Sequence, residues 1–340
     1  MKIFVHEYIC GGGLAGQALP ESLAAEGRAM WTAALEDFAA LPGAEVHTLA
    51  DRRFDVTVPG VHVQPVGPGD EPAAFGELAA ACDFTFVIAP EFEGILEARC
   101  RRAVAAGGHL LGPSPEAVAV AADKPTLDGR LLAAGLPTPW GQWLRRQGDH
   151  LSAEPFPAVL KPAHGAGSHG VFLVADRAGL AAASEAAVSE GVRESVYLQP
   201  HIPGRPASIA LLVGPEAVAP LMPAFQHLSD DGRFRYLGGS APLPPGLFER
   251  AVDLGRRAVA AVPGLRGYVG VDLVLGETAD ADVVIEINPR LTTSYVGLRV
   301  LSEVNLAGQM LNAVLGRPIS LRWRPGGVAW TAGGHVEYAE

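Results

Sequence analysis

Two apolar segments, GYVGVDLVLG (267–276) and DVVIEINPR (282–290), each carry an acid in sequence that is otherwise typical of buried strands. The short linker between them predicts an antiparallel hairpin with its turn near Ala279. That register places Asp272 directly opposite Glu286, with about 5 Å between their Cβ atoms. The opposed carboxylates constrain the fold strongly, because they repel each other unless a cation lies between them.

Asn288 lies two residues beyond Glu286 and adds a neutral oxygen on the same face of the strand. Carboxylate and amide oxygens suit Mg²⁺, which binds a few carboxylates together with substrate phosphates. We therefore predict a magnesium site formed by Asp272, Glu286 and Asn288. The alternative is a hairpin with a polar exposed face, although such faces are more often rich in Lys, Thr and Ser.

The segment AVLKPAHGAGSHGVFLV (158–174) contains Gly165, Gly167 and Gly170 at the spacing G-x-G-x-x-G. A dinucleotide fingerprint must open a helix, whereas the residues after Gly170 are typical of a strand, which argues against an NAD enzyme. A glycine-rich turn between two strands instead suits a flap whose backbone amides cover the phosphates of a nucleotide. Lys161, where the chain enters this flap, is placed to meet a phosphate oxygen. The alternative is a surface hairpin with a solvated lysine.

Two further positions are compatible with nucleotide binding. Lys124 follows the helical segment AVAVAAD, although a lysine there is by itself as compatible with a plain surface position. The segment YLQPHI (197–202) is typical of a strand that leads into a crossover, where a hinge would offer backbone groups to a base. A plain core strand is the alternative for this segment.

Four positions are candidates for binding a substrate. Arg233 and Arg235 alternate along a predicted strand, where they would hold a carboxylate bidentately unless they form a solvated edge. Glu91 follows a predicted strand and would receive an amine, or is merely exposed. Gly12 lies in the loop GGG after the first strand, on the edge of the predicted sheet that would face a ligand.

The chain divides into four predicted parts. Strands and helices alternate over residues 1–112, which predicts a parallel α/β sheet with helices on its faces. Residues 113–197 form a smaller lobe with the glycine-rich flap, and residues 198–325 form a lobe of antiparallel strands with the metal site. Residues 326–340 are a tail without a clear pattern.

Composition narrows the class of partner. The net charge of −11, with 37 acids against 26 bases, argues against nucleic acid and against anionic membranes. Three scattered cysteines do not support a disulfide framework or a zinc cluster, and no apolar run is long enough to span a membrane. We therefore expect a cytoplasmic protein that acts on small molecules. The oligomeric state stays open, a homodimer being one alternative.

A phosphate flap with its lysine, followed more than a hundred residues later by D…E-I-N-P-R, is the order of parts in the ATP-grasp superfamily, which this chain resembles over roughly residues 113–320. The resemblance implies an α/β (α+β) fold in which a parallel N-terminal domain precedes two lobes that hold ATP between them. It implies Mg²⁺, or Mn²⁺, at the three residues already named, and it gives Lys161 and Arg290 a catalytic role on the transferred phosphate and the acyl phosphate. The nucleotide contacts that it implies are Lys124, Lys161, His164, Gly165, Gly167, Ser168, Gly170, Gln199, Pro200, His201 and Ile202.

The segments EYICGGG, APEFEGIL, RYLGG and NPRLTTSYVGL, together with Gln226, resemble the tyramine-glutamate ligase group of methanofuran and methylofuran biosynthesis. This resemblance implies an ADP-forming ligase that joins glutamate to an aromatic amine such as tyramine or tyrosine through an acyl phosphate. The sequence QPHI departs from the many ATP-grasp enzymes that carry an acid after the hinge Gln. An ATP-grasp phosphotransferase and a nucleotide-binding module without catalysis stay open as alternatives.

Overall fold

The N-terminal part of the chain folds around a parallel five-stranded sheet in the order β3–β2–β1–β4–β5. The structure is a computed structural model that describes residues 1–144, 155–162, 168–192 and 196–340. Ile3 and Val5 pack into one core and Phe4 into another, so both faces of the sheet are covered, as a parallel sheet requires. The elements are β1 (Lys2–Glu7), α1 (Glu21–Ala39), β2 (Glu45–Asp51), β3 (Val61–Val66), α2 (Glu71–Ala81), β4 (Phe84–Ile88), α3 (Ile95–Ala105) and β5 (His109–Leu110).

A smaller antiparallel sheet follows, in the order β6–β9–β7–β8. Its core consists of short apolar side chains that include Leu160, Val174 and Leu198. The helices α4 and α5, which precede this sheet, pack instead into the core of the C-terminal lobe, α4 through Ala117 and Ala121 and α5 through Leu127 and Leu131. The elements are α4 (Pro115–Ala122), α5 (Lys124–Ala133), β6 (Gln142–Leu144), β7 (Ala158–Pro162), β8 (Phe172–Val174), α6 (Leu180–Ser189) and β9 (Val196–Pro200).

The C-terminal lobe contains an antiparallel sheet in the order β15–β14–β10–β12–β13–β16–β17, with β11 paired to β10. Residues 326–340, which the sequence analysis set apart as a tail, supply the last two of these strands. The elements are β10 (Arg205–Val213), β11 (Val218–Pro220), β12 (Ala224–Leu228), β13 (Tyr236–Ala241), α7 (Pro245–Ala260), β14 (Gly267–Leu275), β15 (Val283–Asn288), α8 (Ser294–Leu301), α9 (Leu306–Val314), β16 (Gly327–Thr331) and β17 (Val336–Ala339).

The hairpin of β14 and β15 has the predicted register, with Asp272 paired to Glu286 and Gly270 paired to Asn288. A short 3₁₀ turn at Ala279–Ala281 joins the two strands, close to the position expected. The pairing shifts by one residue directly after Asp272. Such a bulge re-aims the neighbouring side chains, and here it borders the predicted metal site.

Helix α1 joins the N-terminal domain to the C-terminal lobe. Asp37 accepts hydrogen bonds from Tyr295 Oη at 2.5 Å and from Arg299 Nη2 at 2.6 Å. Trp31 and Phe38 on the same helix share one core with α8, α9 and β16. The parallel domain is therefore packed into the C-terminal lobe and is not a separate appendage.

Candidate active site

A cleft of about 330 Å³ lies between the smaller antiparallel sheet and the C-terminal sheet. Side chains from β7, β9, β10, β12, β14 and β15 line it. Its volume is within the range of small-molecule sites, which bury most of a ligand between such walls. Of the site residues predicted from the sequence, the structure brings into this cleft Lys124, Lys161, Ser168, Gln199, Pro200, His201, Ile202, Asp272, Glu286, Asn288 and Arg290.

The acids of the β14–β15 hairpin form one wall. Asp272 accepts hydrogen bonds from Gln226 Nε2 at 2.8 Å and from Asn288 Nδ2 at 3.0 Å. Burial raises the pKa of Asp272 to about 7, and the neighbouring Glu286 carboxylate adds to the effect. The described residues hold no cluster of three or more His, Cys, Asp or Glu arranged for a metal. Two carboxylates with one amide fit Mg²⁺, which takes part of its coordination from substrate phosphates.

Two buried lysines face these acids. Lys124 and Lys161 are only 8% and 7% exposed, and Lys124 Nζ lies 3.8 Å from Glu286 Oε2. Burial lowers the pKa of Lys161 to about 8, with a further contribution from the Lys124 charge, while Glu286 and Asp128 oppose the shift. Two lysine side chains held this close favour an anionic ligand between them. A polyphosphate has the charge to fill this role.

Arg290 comes directly after the hairpin and is largely buried beside the N-terminal domain. Its Nη2 donates to Glu91 Oε2 at 3.0 Å, and its Nε lies 2.8 Å from Glu91 Oε1 without hydrogen-bond alignment. The two residues are 199 positions apart in the sequence. The structure thus places Glu91, predicted to receive an amine, in an ion pair with Arg290 and not among the cleft-lining residues.

The predicted hinge has an internal network that the sequence analysis missed. Gln199 Nε2 donates to Asp128 Oδ2 at 2.7 Å and to the Pro139 carbonyl at 2.6 Å. Tyr197 Oη donates to the same Asp128 oxygen at 3.0 Å, and Thr138 Oγ1 donates to its other oxygen at 3.2 Å. The amide N–H groups of Gln199 are therefore already used. Asp128 gave no signal in the sequence because its partners come from distant segments.

Part of the flap lies outside the described residues, including His164, Gly165 and Gly167. Ser168 lines the cleft, and its Oγ donates to the Phe234 carbonyl at 2.7 Å. The Gly170 N–H donates to Glu190 Oε2 at 3.0 Å, and Gly170 is not among the cleft-lining residues.

The predicted carboxylate clamp of Arg233 and Arg235 is wrong in its geometry. Both residues lie before β13 in a turn, where Phe234 has a φ of 52° and breaks the strand alternation. Arg233 Nη2 donates to Glu190 at 2.8 Å, and its guanidinium lies 4.0 Å from the Phe172 ring centroid. Arg235 is exposed and pairs with Asp231. Neither arginine lines the cleft.

Gly12 is also outside the cleft, because it is buried against Val66 and Glu71 in the turn after β1. Its φ of 102° and the close approach of the Val66 side chain leave no room for a Cβ atom. The cleft instead contains several side chains that sequence analysis did not single out. These are Glu26, Tyr236, Thr292, Thr293 and Ser294.

Comparison with known proteins identifies the family of the chain. A family model described as an ATP-grasp domain matches residues 121–294, just over half of the chain, and a pre ATP-grasp 3 domain model matches residues 44–118. Tyramine–L-glutamate ligase of Methanocaldococcus fervens is 33% identical over 114 residues, which are 34% of this chain and 36% of that enzyme. D-alanine–D-alanine ligase of Caulobacter vibrioides is 28% identical over 227 residues, 63% of this chain and 69% of the enzyme.

An ATP-grasp superfamily protein from Archaeoglobus fulgidus has the same fold, with a TM-score of 0.72 and 24% identity. That likeness covers 97% of this chain and 92% of the solved one. The chain spans about a third of the length of the tyramine ligase that it matches. Within the described residues, none of the helices combines the length and apolar character that crossing a membrane requires.

Proposed function

The chain belongs to the ATP-grasp family, and from that membership we propose that it is an ADP-forming ligase that joins a carboxylate to an amine through an acyl phosphate. A free carboxylate does not acylate an amine in water at a useful rate, because its oxygen is a poor leaving group. In the proposed reaction the γ-phosphoryl group of ATP passes to a carboxylate oxygen and ADP leaves. The amine nitrogen then attacks the acyl carbon, loses a proton to solvent and displaces inorganic phosphate.

The observation that carries this proposal is the opposition of charges in one cleft. Asp272 and Glu286 face each other across the hairpin, and the buried Lys124 and Lys161 lie beside them. Phosphoryl transfer needs positioning and charge neutralisation more than covalent catalysis, and this arrangement supplies both kinds of group. Asp272, Glu286 and Asn288 would hold Mg²⁺, which when bound neutralises charge on the nucleotide phosphates.

The cations have different roles in this scheme. Lys161 would contact the transferred phosphoryl group, since it lies at the end of β7 where the chain enters the flap. Lys124, at the first position of α5, would contact the nucleotide phosphates close to Glu286. Arg290 would draw charge from the acyl phosphate, and its ion pair with Glu91 fixes the guanidinium in place.

We propose L-glutamate as the acid and an aromatic amine such as tyramine or tyrosine as the nucleophile, in the biosynthesis of a methylofuran-type one-carbon cofactor. The support for this choice is the sequence similarity between part of this chain and an enzyme named tyramine–L-glutamate ligase. Because Arg233 and Arg235 lie outside the cleft, they give this choice of acid no support.

Mass spectrometry of the products tests the proposal. The protein is incubated with Mg-ATP, L-glutamate and a panel of amines that includes tyramine and tyrosine, and ADP is scored against AMP. We expect a new amide together with equimolar ADP and phosphate. A stable phosphorylated product formed without an amine would instead indicate a phosphotransferase. Release of AMP would reject the acyl phosphate, and absence of nucleotide turnover would indicate a binding module.

A further inference from the structure

Glu26 on α1 brings a carboxylate of the N-terminal domain to the cleft. Among the cleft-lining residues that the structure describes, it is the only one that precedes Lys124 in the sequence. All the other walls come from α5, the smaller sheet and the C-terminal lobe. The parallel domain therefore contacts the ligand space through one acidic side chain.

The surroundings of Glu26 leave most of its hydrogen-bonding capacity unused. In the part of the chain that the structure describes, its carboxylate accepts one side-chain hydrogen bond, from Thr293 Oγ1 at 3.3 Å. Arg290 lies within electrostatic range, but its guanidinium already contacts Glu91 at 2.8 and 3.0 Å. Burial raises the pKa of Glu26 despite the opposing effects of Arg290 and Thr293. A carboxylate in this state is stabilised by a cation that approaches from the cleft.

The position of Glu26 along α1 is fixed by its neighbour in the sequence. Gly27 packs against the buried carboxylate of Glu7, and a Cβ atom there would lie 2.7 Å from Glu7 Oε1. Glu7 in turn accepts a hydrogen bond from the Cys10 N–H at 2.6 Å, in the turn after β1. This tight packing holds α1 close to the sheet, so the Glu26 side chain extends from a rigid support.

Glu26 belongs to a different segment from the predicted metal ligands, and Arg290, the cation among the described residues whose charge acts on Glu26, is already paired with Glu91. The acids Asp272 and Glu286 belong to the hairpin, whereas Glu26 is hydrogen-bonded to Thr293, beyond Arg290 in the sequence. Tyr236 lies near both groups, since the charges of Asp272 and Glu26 both act, after burial, to raise its pKa. The cleft therefore continues past the two acids of the hairpin to a third carboxylate, that of Glu26.

We propose that Glu26 binds the primary ammonium group of a substrate. The inference rests on the proposed ligase function and names the group that the N-terminal domain recognises in it. Ammonium has three donors and a full positive charge, which match a half-buried carboxylate with unused acceptor positions. Two sources have this chemistry: the α-ammonium group of an amino acid that supplies the carboxylate, and the amine that becomes the nucleophile.

Calorimetric titration separates these sources. L-Glutamate is compared with glutarate, and tyramine with 4-ethylphenol, each added to the protein with Mg²⁺ and a non-hydrolysable ATP analogue. The variants are Glu26→Gln and, as a matched control on the exposed face of the same helix, Glu21→Gln. We expect Glu26→Gln to weaken one ammonium-bearing ligand by about tenfold to a hundredfold and to leave its ammonium-free analogue unchanged. Glu21→Gln should bind all four ligands as the wild type does.

The pattern of losses identifies the source. Selective loss of L-glutamate assigns the α-ammonium of the acid, and selective loss of tyramine assigns the nucleophile. If Glu26→Gln weakens the binding of a ligand and of its ammonium-free analogue equally, or weakens neither, the proposed role of Glu26 is overturned. If the wild-type protein forms an amide although Glu26 has no such role, the proposed ligase function stands. A wild-type protein that binds none of the four ligands and forms no amide overturns both proposals.

Discussion

Arg290 is the side chain at which the N-terminal domain meets the end of the β14–β15 hairpin. It is ion-paired with Glu91 and lies within electrostatic range of Glu286 and Glu26. A buried guanidinium keeps its charge in such surroundings, because burial lowers its pKa less than the surrounding acids raise it. The same residue therefore stabilises the junction and supplies fixed positive charge to the cleft.

Glu286→Gln should reduce turnover by about a hundredfold or more, because it removes one of the two opposed charges that would hold the metal. Steady-state ADP release measures the effect. Glu277→Gln, in the exposed turn of the same hairpin, is the matched control and should keep wild-type activity. Wild-type turnover in Glu286→Gln would remove Glu286 from the active site.

Glu7 should make stability depend on pH. Burial raises the pKa of Glu7 to about 7, so the folded protein holds this proton more tightly than the unfolded chain does. Between about pH 4 and pH 7, rising pH therefore destabilises the wild type, by an amount on the order of 3 kcal/mol.

Glu7→Gln removes this titration and keeps an acceptor for the Cys10 N–H. Denaturant unfolding of both proteins across this pH range should show that the free energy of unfolding of the variant increases relative to that of the wild type as the pH rises. Parallel profiles for the two proteins would contradict the shift.

At the scale of single elements, the sequence predicts the β14–β15 hairpin down to its residue pairing. Alternating apolar and polar positions set its register, and a short linker sets its turn. The same reasoning fails at Arg233 and Arg235, because Phe234 between them has a positive φ and ends the strand alternation. No local sequence pattern predicts this positive φ. Asp128 is invisible for another reason, since its partners Tyr197 and Gln199 come from 69 and 71 residues away.

Asp128→Ala should weaken nucleotide binding by about tenfold and lower the free energy of unfolding by about 2–4 kcal/mol. The substitution leaves three buried donors without this acceptor, two on β9 and one on the segment between α5 and β6. ATP titration and denaturant unfolding measure the two effects. Arg130→Gln, on the solvent face of α5, is the control and should change neither. Unaltered ATP affinity in Asp128→Ala would show that the network does not position the hinge.

At the scale of the whole molecule, one helix connects the parallel domain to the lobe that carries the acids. Asp37 on α1 contacts Tyr295 and Arg299 on α8, directly after the loop that contains Arg290 and Thr293. The sequence indicates the separate parts, because each has its own pattern of strands and helices. Their docking depends on long-range contacts such as these, which have no local pattern.

Asp37→Ala should lower the free energy of unfolding by about 2–3 kcal/mol, since it leaves the buried Tyr295 hydroxyl without its acceptor and removes the two-oxygen partner of the largely buried Arg299 guanidinium. Glu36→Gln removes a neighbouring, exposed pairing with the same Arg299 and should cost less than about 1 kcal/mol. Chemical denaturation of both variants gives the comparison. Equal losses would show that Asp37 is no more important to the junction than a surface charge.

The core shared by α1, α8, α9 and β16 also sets an order of events during synthesis on the ribosome. Trp31 and Phe38 leave the exit tunnel hundreds of residues before Trp330, which belongs to the same core. During that interval α1 packs only on the parallel sheet, where Phe38 contacts Phe86, and the side that the C-terminal lobe will cover stays accessible to chaperones. Dividing the gene at the end of the parallel domain would make this transient state permanent, and the fragment would expose the face that the C-terminal lobe covers.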